Sequence, residues 1–355
     1  MVRAVALGVS LLVLHCAAAQ DASQNQLPRG VPHEVVFTGY SPLFSNAEIL
    51  RRLLTPLARE DVRDTLGHTD EALSPYPIDL AREKFLVYVP SSAPPSPRGF
   101  ALLVFVPPYN HADLPFGWPA QLDRHGFIFV APEGAGNTTE VVSRRVPLAL
   151  SAEENIVHDY PIDPQRIYIG GFSGGSRVAE RIALGYPDVF HGALLNAGAD
   201  PLGGAYPLPS RDLFQRFQSS TRLMYDTGEL DAINLGTDAG SAQSMQDWCV
   251  FDVETNEIPN ADHEWMSPTA FGRALDRLLA RDPPAPARLT ACRSHLQAQL
   301  REKLDQAESL IATGRHADAR KLLLEIDSRY GGLAAPRILE LARSCGCGLP
   351  GLSPN

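Results

Sequence analysis

The sequence predicts an α/β architecture: a mainly parallel sheet flanked by helices on both faces, with a small helical appendage at the C-terminal end. Three observations predict it. Short, continuously apolar runs recur along the chain and alternate with helical patterns, as strands buried on both faces do. One run, Arg166-Ile167-Tyr168-Ile169-Gly170, passes directly into a glycine-rich turn and a helix. Beyond Asp282-Pro283-Pro284-Ala285-Pro286 the pattern becomes helical only. Of the 355 residues 44% are hydrophobic and 20% charged, a folding composition rather than a disordered one. With 31 Lys and Arg against 41 Asp and Glu the net charge is −10, which argues against nucleic acid or an anionic membrane surface as a partner.

The elements follow in order. Residues 1–19 read as a secretory signal: Arg3, an apolar run over 5–14 too short to span a bilayer, and small residues Ala17-Ala18-Ala19 before the cut. An uncleaved anchor is the other reading, and His15 stands where a lipid-modified Cys16 would need a small residue. The expected location is secreted or periplasmic, with no membrane association after cleavage. Residues 20–80 form an N-terminal lead-in and helical segment, mobile over 20–34 and helical over 46–66, where Ile49, Leu53, Leu54, Leu57 and Val62 share a face. The main domain spans 81–281. Its expected strands are 85–89, 101–106, 127–130, 166–170, 192–195, 222–225 and 250–253. Helices are expected at 119–125, from a capping box Ser151-x-x-Glu154 to Pro161, and at 173–184. Phe271, Leu275, Leu278 and Leu279 mark a closing helix. Residues 282–287 are a linker. In the helical region, 288–355, Leu289, Leu296, Leu300, Leu304 and Ala307 line one helix, 317–326 a second, and Pro336 opens a third. The pair resembles a single tetratricopeptide-type hairpin, which cannot bury its own face and should pack on the main domain. From residue 284 onward there are 10 Lys and Arg and 7 Asp and Glu, a net +3 that favours docking on the acidic body or on a protein partner.

Signal removal takes Cys16 and leaves Cys249, Cys292, Cys345 and Cys347, an even number in an oxidising compartment, so disulfides are expected. Cys292 opens the tail and Cys345 and Cys347 close it, so Cys292 is expected to pair with one of these and Cys249 with the other. Cys345-Gly346-Cys347 has neither zinc-knuckle nor redox spacing and no histidine at ligand distance. No metal is expected.

The segment Gly171-Phe172-Ser173-Gly174-Gly175 is a G-x-S-x-G turn between a strand and a helix. In that context the serine sits on a strained turn above the strand ends, and the glycines avoid collision with the neighbouring strand and helix. A plain glycine-rich connection is the alternative; neither G-x-G-x-x-G spacing nor a Walker lysine is present. A nucleophile on this turn requires an acid and then a histidine further along the chain. His263, in the loop after the last strand, is the candidate base, since His191 is too close and His295 and His316 lie in the tail. Asp231, after the strand at 222–225, is the candidate acid, with Asp226 and Glu229 as rivals. A buried carboxylate there would fix the histidine tautomer and stabilise the imidazolium.

Residues 163–175 resemble the strand-and-elbow segment of secreted α/β-hydrolases of the polyhydroxybutyrate depolymerase and feruloyl esterase type. Tyr186-Pro187-Asp188-Val189-Phe190-His191-Gly192-Ala193, Gly228-x-x-Asp231 and the His263 loop fit the same pattern. The resemblance covers about residues 85–279. It implies an α/β-hydrolase fold and serine ester hydrolysis of a small or polymeric ester, without a cofactor. One departure stands out. The family places His-Gly after its early apolar strand, where a backbone N–H completes the oxyanion hole; here Pro107-Pro108-Tyr109-Asn110 follows, and proline has no N–H. Gly174 is then one donor and Tyr109, or Asn110, the other; loss of one donor typically costs about 3–4 kcal/mol of transition-state stabilisation. Trp118 and Trp265 are candidates to line a substrate cleft, with ordinary packing as the alternative. Asn137-Thr138-Thr139 is a glycosylation sequon that also reads as a turn. A peptidase on this fold, or a binding protein that has lost catalysis and docks partners through its tail, remain the competing functions.

Overall fold

The computed structural model describes residues 27–65, 75–280 and 283–348, so the proposed signal segment lies outside it. Eight strands form one sheet in the order β1-β2-β4-β3-β5-β6-β7-β8. They are β1 (Pro32–Val35), β2 (Phe85–Tyr88), β3 (Phe100–Val106), β4 (Phe127–Pro132), β5 (Ile162–Phe172), β6 (Gly192–Asn196), β7 (Arg222–Gly228) and β8 (Val253–Ile258). β1 and β2 run antiparallel to their neighbours; β4, β3, β5, β6, β7 and β8 are mutually parallel. This is the α/β-hydrolase fold.

Alternation along β3 sends Leu102, Val104 and Val106 to one face and Ala101, Leu103 and Phe105 to the other. The first face packs on α4 (Val146–Asp159) and α5 (Gly174–Gly185), the second on α3 (Trp118–His125) and α8 (Pro268–Leu279). Both faces are dry, which is why β3, β4, β6 and β7 are buried along their whole length. From β3 the chain steps outward to β4 and then back across to β5. That reversal opens a crevice at the carboxyl ends of β3 and β5, the usual ligand position in open α/β sheets.

Four local readings need correction. Part of the supposed mobile lead-in, Pro32–Val35, is an edge strand on β2. The helix expected over 46–66 is two, α1 (Asn46–Leu53) and α2 (Pro56–Thr65): α1 ends on extended Leu54, at φ −111° and ψ 152°, and Pro56 opens the second helix. Ser151 does not cap α4. The helix begins at Val146, with Pro147 in its first turn, and buries Ser151 in mid-helix. The last strand is Val253–Ile258 rather than 250–253: Val250 turns into the core after α7 (Ala232–Asp247), and the half-exposed Val-Glu-Thr-Asn-Glu-Ile segment forms the edge.

The tail comprises α9 (Pro286–Ala312), α10 (His316–Tyr330) and α11 (Arg337–Cys345). Leu300, Ala307, Leu323, Ile326 and Tyr330 join the core of the first sheet face. Tyr330 meets Trp248 edge-on at 5.6 Å, Asp327 accepts the Leu57 N–H at 3.1 Å, and the Gly332 N–H bonds to the Leu208 carbonyl at 2.8 Å. The contact is mainly apolar and hydrogen-bonded. Arg343 and Glu60, at 3.7 Å, are its one ion pair among the described residues, so charge asymmetry is not what holds the tail. The disulfides also differ from expectation: Cys249 pairs with Cys292, and Cys345 with Cys347. α9 lies along the body, which brings Cys292 to the end of α7 rather than to the end of the tail.

Candidate active site

Ser173 sits between β5 and α5 at φ 56° and ψ −124°, a conformation that side chains other than glycine rarely adopt. Its N–H is held by the Asn196 carbonyl at 2.8 Å. The flanking glycines are sterically required. A Cβ on Gly171 would lie 2.3 Å from the Gly175 carbonyl carbon, and one on Gly175 would lie 2.0 Å from the Val106 carbonyl oxygen. The turn is thus wedged between its own helix and the end of β3, and the strain lifts the Ser173 hydroxyl into the crevice.

His263 Nε2 lies 2.9 Å from Ser173 Oγ, and His263 Nδ1 lies 2.6 Å from Asp231 Oδ2. The two loops that bring them together cross backbone on backbone. The Leu230 N–H bonds to the Ala261 carbonyl at 2.9 Å, and a Cβ on Gly228 would stand 2.4 Å from the Asp262 carbonyl oxygen. Gly228 is therefore the close-approach residue of the Gly228-x-x-Asp231 pattern. Asp231 also caps α7, accepting the Asn234 N–H at 3.3 Å. Burial alone would raise the Asp231 pKa, but hydrogen bonds from His263 and Asn234 outweigh it and hold the carboxylate below its ordinary value.

The rival acids are elsewhere. Asp226 is buried and bonded to Asn256 Nδ2 at 2.7 Å, with burial pushing it up to about 6. Glu229 accepts the Asn260 N–H at 2.9 Å. The tryptophans separate. Trp118 is fully buried, stacked on Phe271 at 3.7 Å and bonded to the Met266 carbonyl, so it is core and lines no cleft. Trp265 is half-buried beside the site, 5.0 Å from the Phe172 ring, which itself lies 4.9 Å from the His263 ring. Tyr109 is 47% exposed and stacks on His111. Neither its N–H nor that of Gly174, the first residue of α5, has an internal acceptor among the described residues.

Sequence reasoning missed Asn234. Its Nδ2 donates to both Asp231 oxygens, at 3.0 and 2.8 Å, and its Oδ1 accepts from Arg177 at 3.2 Å. The Asp-x-x-Asn spacing at a helix start was its only sequence signal. No group of three or more metal-ligating side chains occurs among the described residues.

The fold is that of the α/β-hydrolases, and Ser173 sits on its tight strand-to-helix elbow. In sequence the chain is 27% identical over 139 residues to a poly(3-hydroxybutyrate) depolymerase of Ralstonia pickettii, 32% of this chain and 28% of that protein. It is 34% identical over 101 residues to poly(3-hydroxyalkanoate) depolymerase C of Paucimonas lemoignei, 25% of this chain and 23% of that one. The chain thus spans about a quarter of the length of the curated relatives it matches. No protein-family model matches it. Among solved structures, a ferulic acid esterase aligns at TM-score 0.41 and 16% identity, covering 56% of this chain and 90% of that one. Est1E from Butyrivibrio proteoclasticus aligns at TM-score 0.43 and 12% identity, covering 57% and 96%. At such low scores the fold assignment rests on the strand order.

Proposed function

We propose that this protein is a serine hydrolase of carboxylic esters. The observation that carries the reading is the Ser173–His263–Asp231 relay, at 2.9 and 2.6 Å, on a strained elbow at the sheet's switch point. Ser173 Oγ attacks the ester carbonyl while His263 Nε2 takes its proton and Asp231 steadies the imidazolium. The Gly174 N–H and a donor of the Tyr109 loop hold the oxyanion. His263 then protonates the departing alcohol, and water repeats the cycle on the acyl-enzyme.

The surroundings favour an apolar acyl chain or polyester. Leu230 and Ile233, 62% and 80% exposed, flank Asp231, and Phe116, 97% exposed, lies on the β3–α3 connection. The relatives named above are depolymerases of such polymers. The Cys249–Cys292 bridge supports an oxidising compartment outside the cytosol. No helix among the described residues is long and apolar enough to cross a membrane.

An alkyl fluorophosphonate tests the site directly, since it reports nucleophile, base and oxyanion hole together. Stoichiometric labelling at Ser173 is expected, with none in Ser173→Ala. Hydrolysis of a short p-nitrophenyl ester should fall by several orders of magnitude in Ser173→Ala and in His263→Ala. A folded wild-type protein that is neither labelled nor active would leave the non-catalytic reading in its place.

A further inference from the structure

In the loop after β3 the first backbone N–H is that of Tyr109, which has no internal acceptor among the described residues. Pro107 and Pro108 carry no N–H. Yet this loop is firmly built. The buried Arg145 donates to the Pro107 carbonyl at 3.1 Å. The loop is also stitched to the segment after β4. The Asn137 N–H bonds to the Pro108 carbonyl at 2.9 Å, the Gly134 N–H to the Asn110 carbonyl at 2.8 Å, and the Gly136 N–H to Asn110 Oδ1 at 3.1 Å. The two segments form one rigid wall of the crevice.

The exposed Asn137 projects from that wall onto the start of α5. A Cβ added to Gly174 would stand 2.2 Å from Asn137 Oδ1, 2.6 Å from its Cγ and 2.8 Å from its Nδ2. The carboxamide therefore occupies the space a side chain at position 174 would fill, and the Gly174 N–H has no internal acceptor among the described residues. No hydrogen bond within the described residues engages the carboxamide. A half-turn about χ2 exchanges its two ends, and a negatively charged oxygen selects the donating NH₂.

We propose that the Asn137 carboxamide is an oxyanion-hole donor, added to the backbone N–H groups of Gly174 and the Tyr109 loop. The inference rests on the serine-hydrolase reading. As the bond from Ser173 Oγ to the carbonyl carbon forms, the π pair moves onto the carbonyl oxygen and the hydroxyl proton passes to His263. Asn137 Nδ2 donates a hydrogen bond to that oxygen and transfers nothing. The interaction is strongest when the oxygen is fully charged, so it should act on kcat rather than on substrate binding.

The test uses the full mature chain, a p-nitrophenyl ester and an alkyl boronic acid as tetrahedral mimic. For Asn137→Ala, kcat should fall by about 10²- to 10³-fold, with KM changed by less than about threefold. Boronate affinity should fall with kcat/KM. Asn137→Asp, nearly isosteric, places a carboxylate beside the forming oxyanion and should be at least as impaired as Asn137→Ala. Its unfolding midpoint, close to that of wild type, excludes misfolding as the cause. If Ser173 is labelled in wild type and Ser173→Ala is inactive, yet Asn137→Ala keeps kcat within about threefold, the proposal is overturned and the hydrolase reading stands. Asn137→Asp as active as wild type would overturn it equally. If wild type is neither active nor labelled, both fall together.

Discussion

Severing Cys249–Cys292 should cost this protein about 4 kcal/mol of stability. Cys249 follows α7, is fully buried and has φ 64°; Cys292 lies on α9 and is half-buried. Their bridge crosslinks the body to the tail, and the two cysteines are 43 residues apart. Closing a loop of that size removes about 13 cal/mol/K from the unfolded chain, or about 4 kcal/mol at 25 °C. The variant Cys249→Ala with Cys292→Ser leaves the backbone demand unchanged, because alanine and cysteine both carry a Cβ at the positive φ. Trp248 reports the outcome: its ring meets Phe214 of α6 (Arg211–Ser220) and Tyr330 of the tail. In urea, followed by tryptophan fluorescence, the midpoint should fall and the m-value should rise, since the unfolded chain expands without its crosslink. The same variant with Cys345→Ser and Cys347→Ser should follow the curve of wild type treated with reductant, which opens both bridges. A loss below about 1 kcal/mol would refute the reasoning. So would a separate early transition of the tail that leaves the body's midpoint untouched, since the bridge would then stabilise only its own neighbourhood.

Two further outcomes follow from the site and the core. Asn234→Ala removes the two contacts its Nδ2 makes with Asp231 while leaving the bond from His263, and hydrogen bonds to a charged group are worth about 1.5–3 kcal/mol. We expect kcat/KM to fall by roughly 10- to 100-fold, less than in His263→Ala, as checked by esterase kinetics; unchanged kinetics would mean His263 alone orients the acid. Burial pushes the carboxyls of Glu180 and Glu153 up to about 8, against an ordinary value of 4.5. Between those values the native state holds protons that the unfolded chain has released. Stability should therefore fall as pH rises through that window, by up to about 1.4 kcal/mol per pH unit per group, and level off above it. Glu180→Gln, read by urea unfolding from pH 5 to 9, should remove one proton's share of that slope; an unaltered slope would refute the assignment.

What was legible in the sequence was what local sterics dictate. The elbow glycines could be read as necessary because the collisions they avoid lie within the turn and against the adjoining strand. Asp231 could be proposed because it follows a strand, with Asp226 and Glu229 as rivals, and His263 because, of the four histidines after Ser173, it alone lies in the loop after the last strand. Features decided by distant neighbours were not. Trp118 looks like a cleft residue until Phe271 and Met266, from the far end of the domain, close over it. The disulfide pairing depended on the direction in which α9 leaves the linker. β8 was displaced because an edge strand with one wet face has the polar alternation of a loop, whereas the apolar Val250 beside it packs in the core.

Gly174 and Asn137 show the same limit within the site itself. The G-x-S-x-G pattern leaves the residue after the serine unconstrained, so nothing local explains a glycine there. Asn137, in a Gly-Asn-Thr-Thr segment, has every mark of an ordinary turn asparagine. Only the loop stitching, Asn137 N–H to Pro108 and Gly136 N–H to Asn110, brings the two residues together. Pro107-Pro108, Asn137 and Gly174 are thus parts of one physical arrangement. The loop that carries the prolines holds the asparagine's backbone, the asparagine occupies the space beside residue 174, and that space exists because residue 174 has no side chain. Gly174→Ala, with its Cβ 2.2 Å from Asn137 Oδ1, perturbs that arrangement from the opposite side to Asn137→Ala. The two changes act on one contact, so their effects on kcat should fall short of additive when combined.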